Sequence, residues 1–237
     1  MHGEPVSARG GAQRIPRPAS ARPGGPPAWT ALPHERRRFT VDDVRAAVQT
    51  VPAIPQPPAP TTARPAAVLL PFFEEGGEAR VILTKRPETM PSHQGEIAFP
   101  GGKLEEGVDG SLRDAALREA HEEIGLDPSD VDVVAELESM TTAAGRFVLT
   151  PFVGLLAARP RLAPDFTEVV SVFDVALSDL LDEAAYREER WDIPSEMGTE
   201  AGPDRQIHFF ELPGETVWGA TARILVRFLE HLTATRS

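Results

Sequence analysis

This chain of 237 residues lacks several features, and each absence excludes a class of protein. It has no cysteine, which excludes a disulfide scaffold, a zinc-thiolate site and a cysteine nucleophile. No run approaches the ~18 consecutive apolar residues of a membrane-spanning helix, so we expect no membrane insertion. Basic residues are few, 24 against 36 acidic ones, and the formal net charge of −12 argues against general nucleic-acid binding.

The charges that are present are unevenly distributed. Residues 1–40 hold seven arginines and two glutamates, a net of +5, which leaves a net of −17 on the remainder. Thirteen of the 24 prolines precede residue 66. A Pro/Gly/Ala/Arg composition buries too little apolar surface to offset the entropy lost on ordering, so it predicts a disordered tail over residues 1–38.

Residues 39–237 are predicted to form one domain. A leading helix over 39–50 follows from the capping box that begins at Thr40, and the Pro-rich residues 51–65 are an extended linker. The remaining pattern mixes strands and helices, which indicates an α/β fold around a mixed β-sheet. The predicted strands are 66–73, 79–84, 96–99, 131–137, 147–156, 168–175 and 205–212, and the predicted helices are 111–125, 177–186 and 221–233.

Three glutamates share one face of the predicted 111–125 helix. Glu119, Glu122 and Glu123 stand at i, i+3 and i+4. A solvated acidic face is the commonest explanation, but like charges at this spacing oppose the helix by about 0.2–0.5 kcal/mol. The macrodipole also disfavours anions in the last turn. Three carboxylates on one face would suit Mg²⁺ or Mn²⁺, and the helix alone leaves both interpretations open.

Two adjacent glycines, Gly101 and Gly102, lie ahead of this helix, after Phe99-Pro100. Such a pair permits either a tight turn or a close approach of the backbone to a ligand. Placed before a carboxylate-bearing helix, the pair suggests a site in which loop and metal face one pyrophosphate.

The segment that follows resembles the Nudix box, G-x5-E-x7-R-E-U-x-E-E-x-G-U, where U is a bulky apolar residue. Its second half reads Arg118-Glu119-Ala120-His121-Glu122-Glu123-Ile124-Gly125-Leu126. Only the first U departs there, because Ala120 is small. The first half departs further, since Gly102 stands two residues too early and no glutamate holds the required spacing before Arg118. Three acids are candidates for the missing carboxylate: Glu105, Glu106 and Asp109.

A second motif resembles the signature of coenzyme A pyrophosphatases, L-L-T-x-R-[SP]-x3-R-x3-G-x3-F-P-G-G. Arg86, Gly95 and the run 99–102 fit it, whereas Pro91 stands where the pattern has its second arginine. The resemblance implies a Nudix-type α/β/α sandwich. It also implies hydrolysis of coenzyme A or its derivatives to adenosine 3′,5′-bisphosphate and 4′-phosphopantetheine, by water activated by a divalent metal.

The resemblance further implies roles for individual residues. Glu119, Glu122 and Glu123 are the candidate metal ligands, and Arg118 orients a glutamate through a salt bridge; these four are the candidate catalytic residues. The general base is Glu122 or, as an outside candidate, Glu168. The candidate substrate-binding residues are Lys85, Arg86, His93, Gly95, Gly101 and Gly102.

Other interpretations stay open at this point. The altered Pro91 and the longer loop leave room for another nucleoside diphosphate, such as ADP-ribose or a dinucleotide. A catalytically silent nucleotide-binding module is a further alternative for the whole domain. For Lys85 and His93, the alternative to substrate binding is an ordinary structural role. We expect a small-molecule nucleotide as partner, and a monomer or homodimer. Cytoplasm is the default location, since the C-terminal Thr235-Arg-Ser237 is not the peroxisomal Ser-Lys-Leu.

Overall fold

A computed structural model describes residues 9–13, 15–50, 62–88, 95–143, 145–193 and 202–236. The predictions for Pro91 and His93, and for all but the end of the linker, lie outside the described residues. Within these ranges, no helix has the length and the apolar character needed to cross a membrane.

Strands outnumber helices along the described chain. The strands are β1 (Arg22–Pro23), β2 (Arg64–Glu75), β3 (Glu78–Lys85), β4 (Ile97–Ala98), β5 (Gly101–Lys103), β6 (Val131–Glu136), β7 (Met140–Thr141), β8 (Phe147–Leu156), β9 (Ser171–Ala176), β10 (Tyr186–Ile193), β11 (Gly202–Leu212) and β12 (Glu215–Val217). The helices are α1 (Val41–Val48), α2 (Leu112–Ile124), α3 (Leu177–Leu180) and α4 (Gly219–Ala234).

The larger sheet is mixed, as predicted. Its strands run in the order β4-β3-β2-β8-β6, with β5 paired to β2, β7 to β8 and β9 to β3. Strands β2 and β8 are parallel, from Arg64 opposite Phe147 to Phe72 opposite Leu155, and the other pairs are antiparallel. A smaller antiparallel sheet has the order β1-β10-β11-β12.

Helices cover both faces of the larger sheet, which confirms the predicted α/β/α sandwich. Successive side chains of a strand point to opposite faces, and β2 is buried on both. Its Leu69 and Phe73 pack with the apolar side chains of α2. Its Leu70 and Phe72 pack with α1 and α4 on the other side, where the rings of Phe72 and Phe228 lie 5.0 Å apart. Helix α2, which carries Glu119, Glu122 and Glu123, therefore packs on the opposite face of the sheet from α1 and α4.

The described part of the N-terminal segment is ordered, so the predicted disordered tail is wrong for residues 9–13 and 15–38. Trp29 is 1% exposed, and its indole contacts the rings of Tyr186 and Phe210. Arg37 is also buried, and its guanidinium donates to the backbone oxygens of Leu32 and Leu181 and to the Glu183 carboxylate. Composition averaged over the segment did not predict this packing, because all of these partners except Leu32 lie 144 residues or more away in the chain.

Loss of the buried indole should therefore destabilise the whole domain. We expect Trp29→Ala to lower the free energy of unfolding by about 3–5 kcal/mol, measured by urea denaturation. Arg22→Ala is the control, because the ion pairs of Arg22 with Asp192 and Asp204 join exposed side chains and should contribute less than about 1 kcal/mol. Equal effects from both variants would show that residues 9–38 are held by surface charge alone.

Three other sequence-based expectations need correction. The predicted 177–186 helix ends at Leu180, where the side chain and the carbonyl of Asp182 accept hydrogen bonds from Ala184 and Ala185 in a turn. Strand β10 was missed because its charged sequence hides the alternation: Glu188 and Glu189 are buried, and arginines pair with both carboxylates. Strand β2 also begins at Arg64, inside the predicted 51–65 linker.

Candidate active site

The ends of α2 follow directly from its sequence. The Ser111 hydroxyl accepts a hydrogen bond from the Asp114 backbone N–H (3.2 Å), as an N-cap does. Gly125 adopts the left-handed conformation, with φ of +67°, and its N–H donates to the His121 carbonyl. Both ends agree with the prediction, and the helix presents its glutamates to the loop after β4.

At both glycines of β5, neighbouring atoms of the protein leave no room for a side chain. A Cβ on Gly101 would lie 2.3 Å from the Ala67 carbonyl oxygen, and Gly101 has a φ of +152°. A Cβ on Gly102 would lie 2.2–2.4 Å from the Glu119 carboxylate. The Gly101 N–H donates to Glu123 Oε2 at 3.1 Å. The predicted close approach of this backbone to a ligand stays a prediction; what the structure shows is its close approach to the carboxylates of Glu119 and Glu123.

Arg118 forms salt bridges with three carboxylates, those of Asp109, Glu119 and Glu122. Its Nε and Nη2 donate to the two oxygens of Asp109 at 2.9 and 3.1 Å. Its Nη2 also lies 3.0 Å from Glu119 Oε1, and its Nη1 lies 2.7 Å from Glu122 Oε2. The hydrogen bonds from Arg118 lower the pKa of Asp109, whose side chain is 2% exposed. Of the three acids considered for the gap in the motif, Asp109 is the one that pairs with Arg118. The backbone N–H of Glu105 donates to the Asp109 carboxylate at 2.8 Å.

Glu123 is a buried carboxylate with little compensating charge. It is 6% exposed, and burial raises its pKa from 4.5 to about 7. The Gly101 N–H and the Arg86 guanidinium, 3.9 Å away, oppose that rise, while the charges of Glu119 and Glu168 add to it. Burial also raises the pKa of Glu119. Such perturbed carboxylates, held side by side, are a common mark of a functional site.

The predicted substrate-binding residues divide into two groups. Arg86, Gly101 and Gly102 lie beside Glu119 or Glu123, as the distances above show. Lys85 does not contact them: its Nζ pairs with Glu215 Oε1 at 2.8 Å, which favours the structural alternative for this lysine. Gly95 is buried, with a φ of +64°, and His93 lies outside the described residues.

No three acidic or histidine side chains of the described residues form a ready-made metal cage. The reason is local, because Arg118 holds oxygens of both Glu119 and Glu122. The donor set nevertheless fits a hard divalent cation, which takes oxygen ligands. Glu119 and Glu123 supply two largely buried carboxylate groups, and burial raises the pKa of each.

Comparison with known proteins places this arrangement in a family. A family model described as the NUDIX domain matches residues 62–195. The chain belongs to the Nudix family. The match covers the larger sheet, α2 and all of β10, and therefore includes every described residue of the carboxylate site. The Nudix prediction made from the box is confirmed, and the coenzyme A branch stays a prediction.

Several Nudix proteins are similar in sequence. Nudix hydrolase 22, chloroplastic, from Arabidopsis thaliana is 43% identical over 178 residues, and Nudix hydrolase 15, mitochondrial, from the same plant is 42% identical over 171. These matches cover 71% and 68% of the chain but only 56% of each relative. The uncharacterized Nudix hydrolase NudL of Photorhabdus laumondii is 34% identical over 162 residues, covering 68% of the chain and 81% of the relative. With plastid and mitochondrial names among the relatives, a cytoplasmic location stays a prediction.

Solved Nudix structures are more distant. A MutT/nudix family protein from Enterococcus faecalis aligns with 85% of the chain and 72% of its own length, at 15% identity and a TM-score of 0.48. RenU, a Nudix hydrolase from M. smegmatis, aligns with 73% of the chain and 88% of its own length, at 21% identity and a TM-score of 0.45.

Sequence spacing did not identify the acid that completes this Nudix box, and a substitution tests the one that the structure favours. Asp109→Asn keeps the shape of the side chain but removes the charge that fixes Arg118. We expect kcat/KM to fall about 10–100-fold, as when a supporting partner of a metal ligand is lost. Glu106→Gln, an exposed acid of the same loop, is the control. If Glu106→Gln were the damaging change and Asp109→Asn were silent, the assignment of Asp109 would be wrong.

Proposed function

We propose that this Nudix protein hydrolyses the pyrophosphate bond of coenzyme A or its derivatives. The observation that carries the hydrolase part is the pair of buried carboxylates, Glu119 and Glu123, packed against the glycine backbone and backed by Arg118. The proposal for the coenzyme A branch is supported by the upstream motif. The guanidinium of its Arg86 faces Glu123, and its Phe99, two residues before Gly101, is buried.

The reaction adds water across one phosphorus–oxygen bond. The water oxygen bonds to one phosphorus, the bridging oxygen leaves with the other phosphate, and the products are adenosine 3′,5′-bisphosphate and 4′-phosphopantetheine. A bound Mg²⁺ or Mn²⁺ would neutralise phosphate charge, lower the pKa of the attacking water and stabilise the leaving oxygen. Glu119 and Glu123 would hold that ion, while Arg118 fixes the rotamers of Glu119 and Glu122.

The remaining roles belong to residues around this pair. Glu122, the first candidate for the base, has one oxygen held by Arg118 at 2.7 Å. Glu168 lies on an exposed loop whose backbone is hydrogen-bonded to the end of α2. Because Arg118 holds Glu122, we assign Glu168 to take the proton of the attacking water. Arg86 is placed to meet a phosphate oxygen, because its guanidinium faces the carboxylates and its planar fork suits phosphate.

A substrate panel tests the proposal. The full chain is incubated with coenzyme A, ADP-ribose and a dinucleotide in Mg²⁺ and in Mn²⁺, and the products are resolved by mass. Release of 4′-phosphopantetheine well above ADP-ribose cleavage is the expected result. Equal or faster cleavage of ADP-ribose would overturn the coenzyme A branch, and no cleavage of any member would favour a silent nucleotide-binding module.

A further inference from the structure

The loop that follows β8 is fixed to the carboxylate site by its backbone. The N–H groups of Ala163 and Asp165 donate to the carbonyls of Ile124 (2.9 Å) and Glu123 (3.0 Å) at the end of α2. At its far end, the N–H of Val170 donates to the carbonyl of Lys85 (2.7 Å). Residues 163–170, which we name the rim loop, therefore span from the helix that carries Glu123 to the strand that leads to Arg86.

Within the rim loop a tight turn fixes the backbone. The Asp165 carboxylate accepts hydrogen bonds from the N–H and the hydroxyl of Thr167, at 2.8 and 2.7 Å. The Asp165 carbonyl accepts from the N–H groups of Glu168 and Val169, at 2.9 and 3.0 Å. Val169 is itself buried and anchors the turn. Phe166 sits in this turn, so its outward position is set by hydrogen bonds.

The turn exposes apolar surface next to the site. Among the residues that the structure describes, the strongly exposed large apolar side chains are Val108 at 64%, Phe166 at 72% and Val170 at 51%. Two of these three lie on the rim loop, on either side of Glu168. The charge of Glu168 also contributes to the raised pKa values of Glu119 and Glu123, which is consistent with a rim loop that borders the carboxylates.

We propose that Phe166 is a substrate-binding residue whose ring stacks on the purine base of the nucleoside diphosphate. This inference rests on the proposed function, because it assumes that the pyrophosphate lies at Glu119 and Glu123. Only a ribose joins the base to the pyrophosphate, so the base must lie close to the carboxylates. An aromatic side chain at the border of the site is therefore within reach of the base. A phenylalanine has two side-chain torsions, so little entropy is lost when a base stacks on it, and such stacking strengthens binding roughly 10- to 100-fold.

Kinetics of a variant series test the stacking. We expect Phe166→Ala to raise KM for coenzyme A about 10-fold with kcat nearly unchanged, and Phe166→Trp to keep KM close to the wild-type value. Val108→Ala is the matched control, since it removes a similarly exposed apolar side chain from the loop before α2 and should leave KM unchanged. Thermal denaturation should be the same for all variants, because the Phe166 ring buries little surface.

Two further measurements separate this inference from the proposed function. Adenosine 3′,5′-bisphosphate, titrated by calorimetry, should bind about 10-fold more weakly to Phe166→Ala, whether or not the protein hydrolyses coenzyme A. A diphosphate ester without a purine should be cleaved equally by wild type and Phe166→Ala. An unchanged bisphosphate affinity would overturn the stacking, and so would a shift in oligomeric state by light scattering without a change in that affinity, which would make Phe166 an interface residue.

Discussion

Glu123→Gln should reduce turnover by at least about 10²-fold in saturating Mg²⁺ or Mn²⁺ while leaving the fold intact. Loss of a partner that only supports a metal ligand already reduces activity about 10–100-fold, and Glu123 is assigned as a ligand itself. The amide keeps the size of the side chain and can still accept the hydrogen bond from Gly101, so the variant removes charge with little change of shape. The measurement is kcat with coenzyme A.

The control for this variant is Glu106→Gln, the same change at an exposed acid of the loop before α2. It should leave both kcat and stability near the wild-type values. Near-normal turnover by Glu123→Gln at saturating metal would remove Glu123 from the site.

When metal is chelated, Glu123→Gln should be more stable than the wild type above about pH 7. The pKa of Glu123 is about 7 in the fold against 4.5 for a free carboxyl, so the folded state binds the proton more tightly. The wild type should therefore lose up to about 3 kcal/mol as pH rises from 4.5 to above 7. The amide of the Glu123→Gln variant does not titrate, so the variant escapes this loss. Urea denaturation in a chelator at about pH 4 and about pH 8, on either side of that window, measures the difference, and identical pH profiles for the two proteins would contradict it.

Gly102→Ala should reduce turnover by about 10²-fold, although the substitution replaces no ionisable residue. The added Cβ would lie 2.2 Å from the Glu119 carboxylate, so that side chain must move by about 1 Å, and a misplacement of this size costs roughly 10² in rate. The backbone at Gly102 is not in the left-handed region, so the effect is steric. Measured kcat for coenzyme A, together with urea denaturation, separates displacement of Glu119 from loss of folding.

Gly25→Ala is the matched control, because Gly25 also avoids the left-handed region and a Cβ there meets no atom within 4 Å. It should leave turnover unchanged. If Gly102→Ala were as active as Gly25→Ala, Glu119 would have no fixed position to lose, and its assignment as a ligand would fail.

Local signals predicted the parts of this fold that local sequence controls. The cap at Ser111 and the glycine at 125 define α2 to within a residue, and β8 spans Phe147–Leu156 as predicted. The matching half of the Nudix box located the glutamates for the same reason, since a helix fixes their spacing.

Features that depend on distant partners were not predictable in this way. The first half of the box is a loop, and only its folded path shows that Asp109 reaches Arg118. Trp29 lies in a segment whose composition indicates disorder, but its burial depends on rings at Tyr186 and Phe210. Strand β10 was not predicted because the sequence does not distinguish a buried, ion-paired glutamate from a solvent-exposed one.

The path of the N-terminal segment sets an order of events during synthesis. Arg17 pairs with Glu189, 172 residues later, and Trp29 packs on residues made later still in β11. At about 5–20 residues per second, Arg17 and Trp29 wait roughly 10–30 seconds after their own synthesis for their docking surface to be made. These residues can thus reach their folded positions only after β10 and β11 have been made.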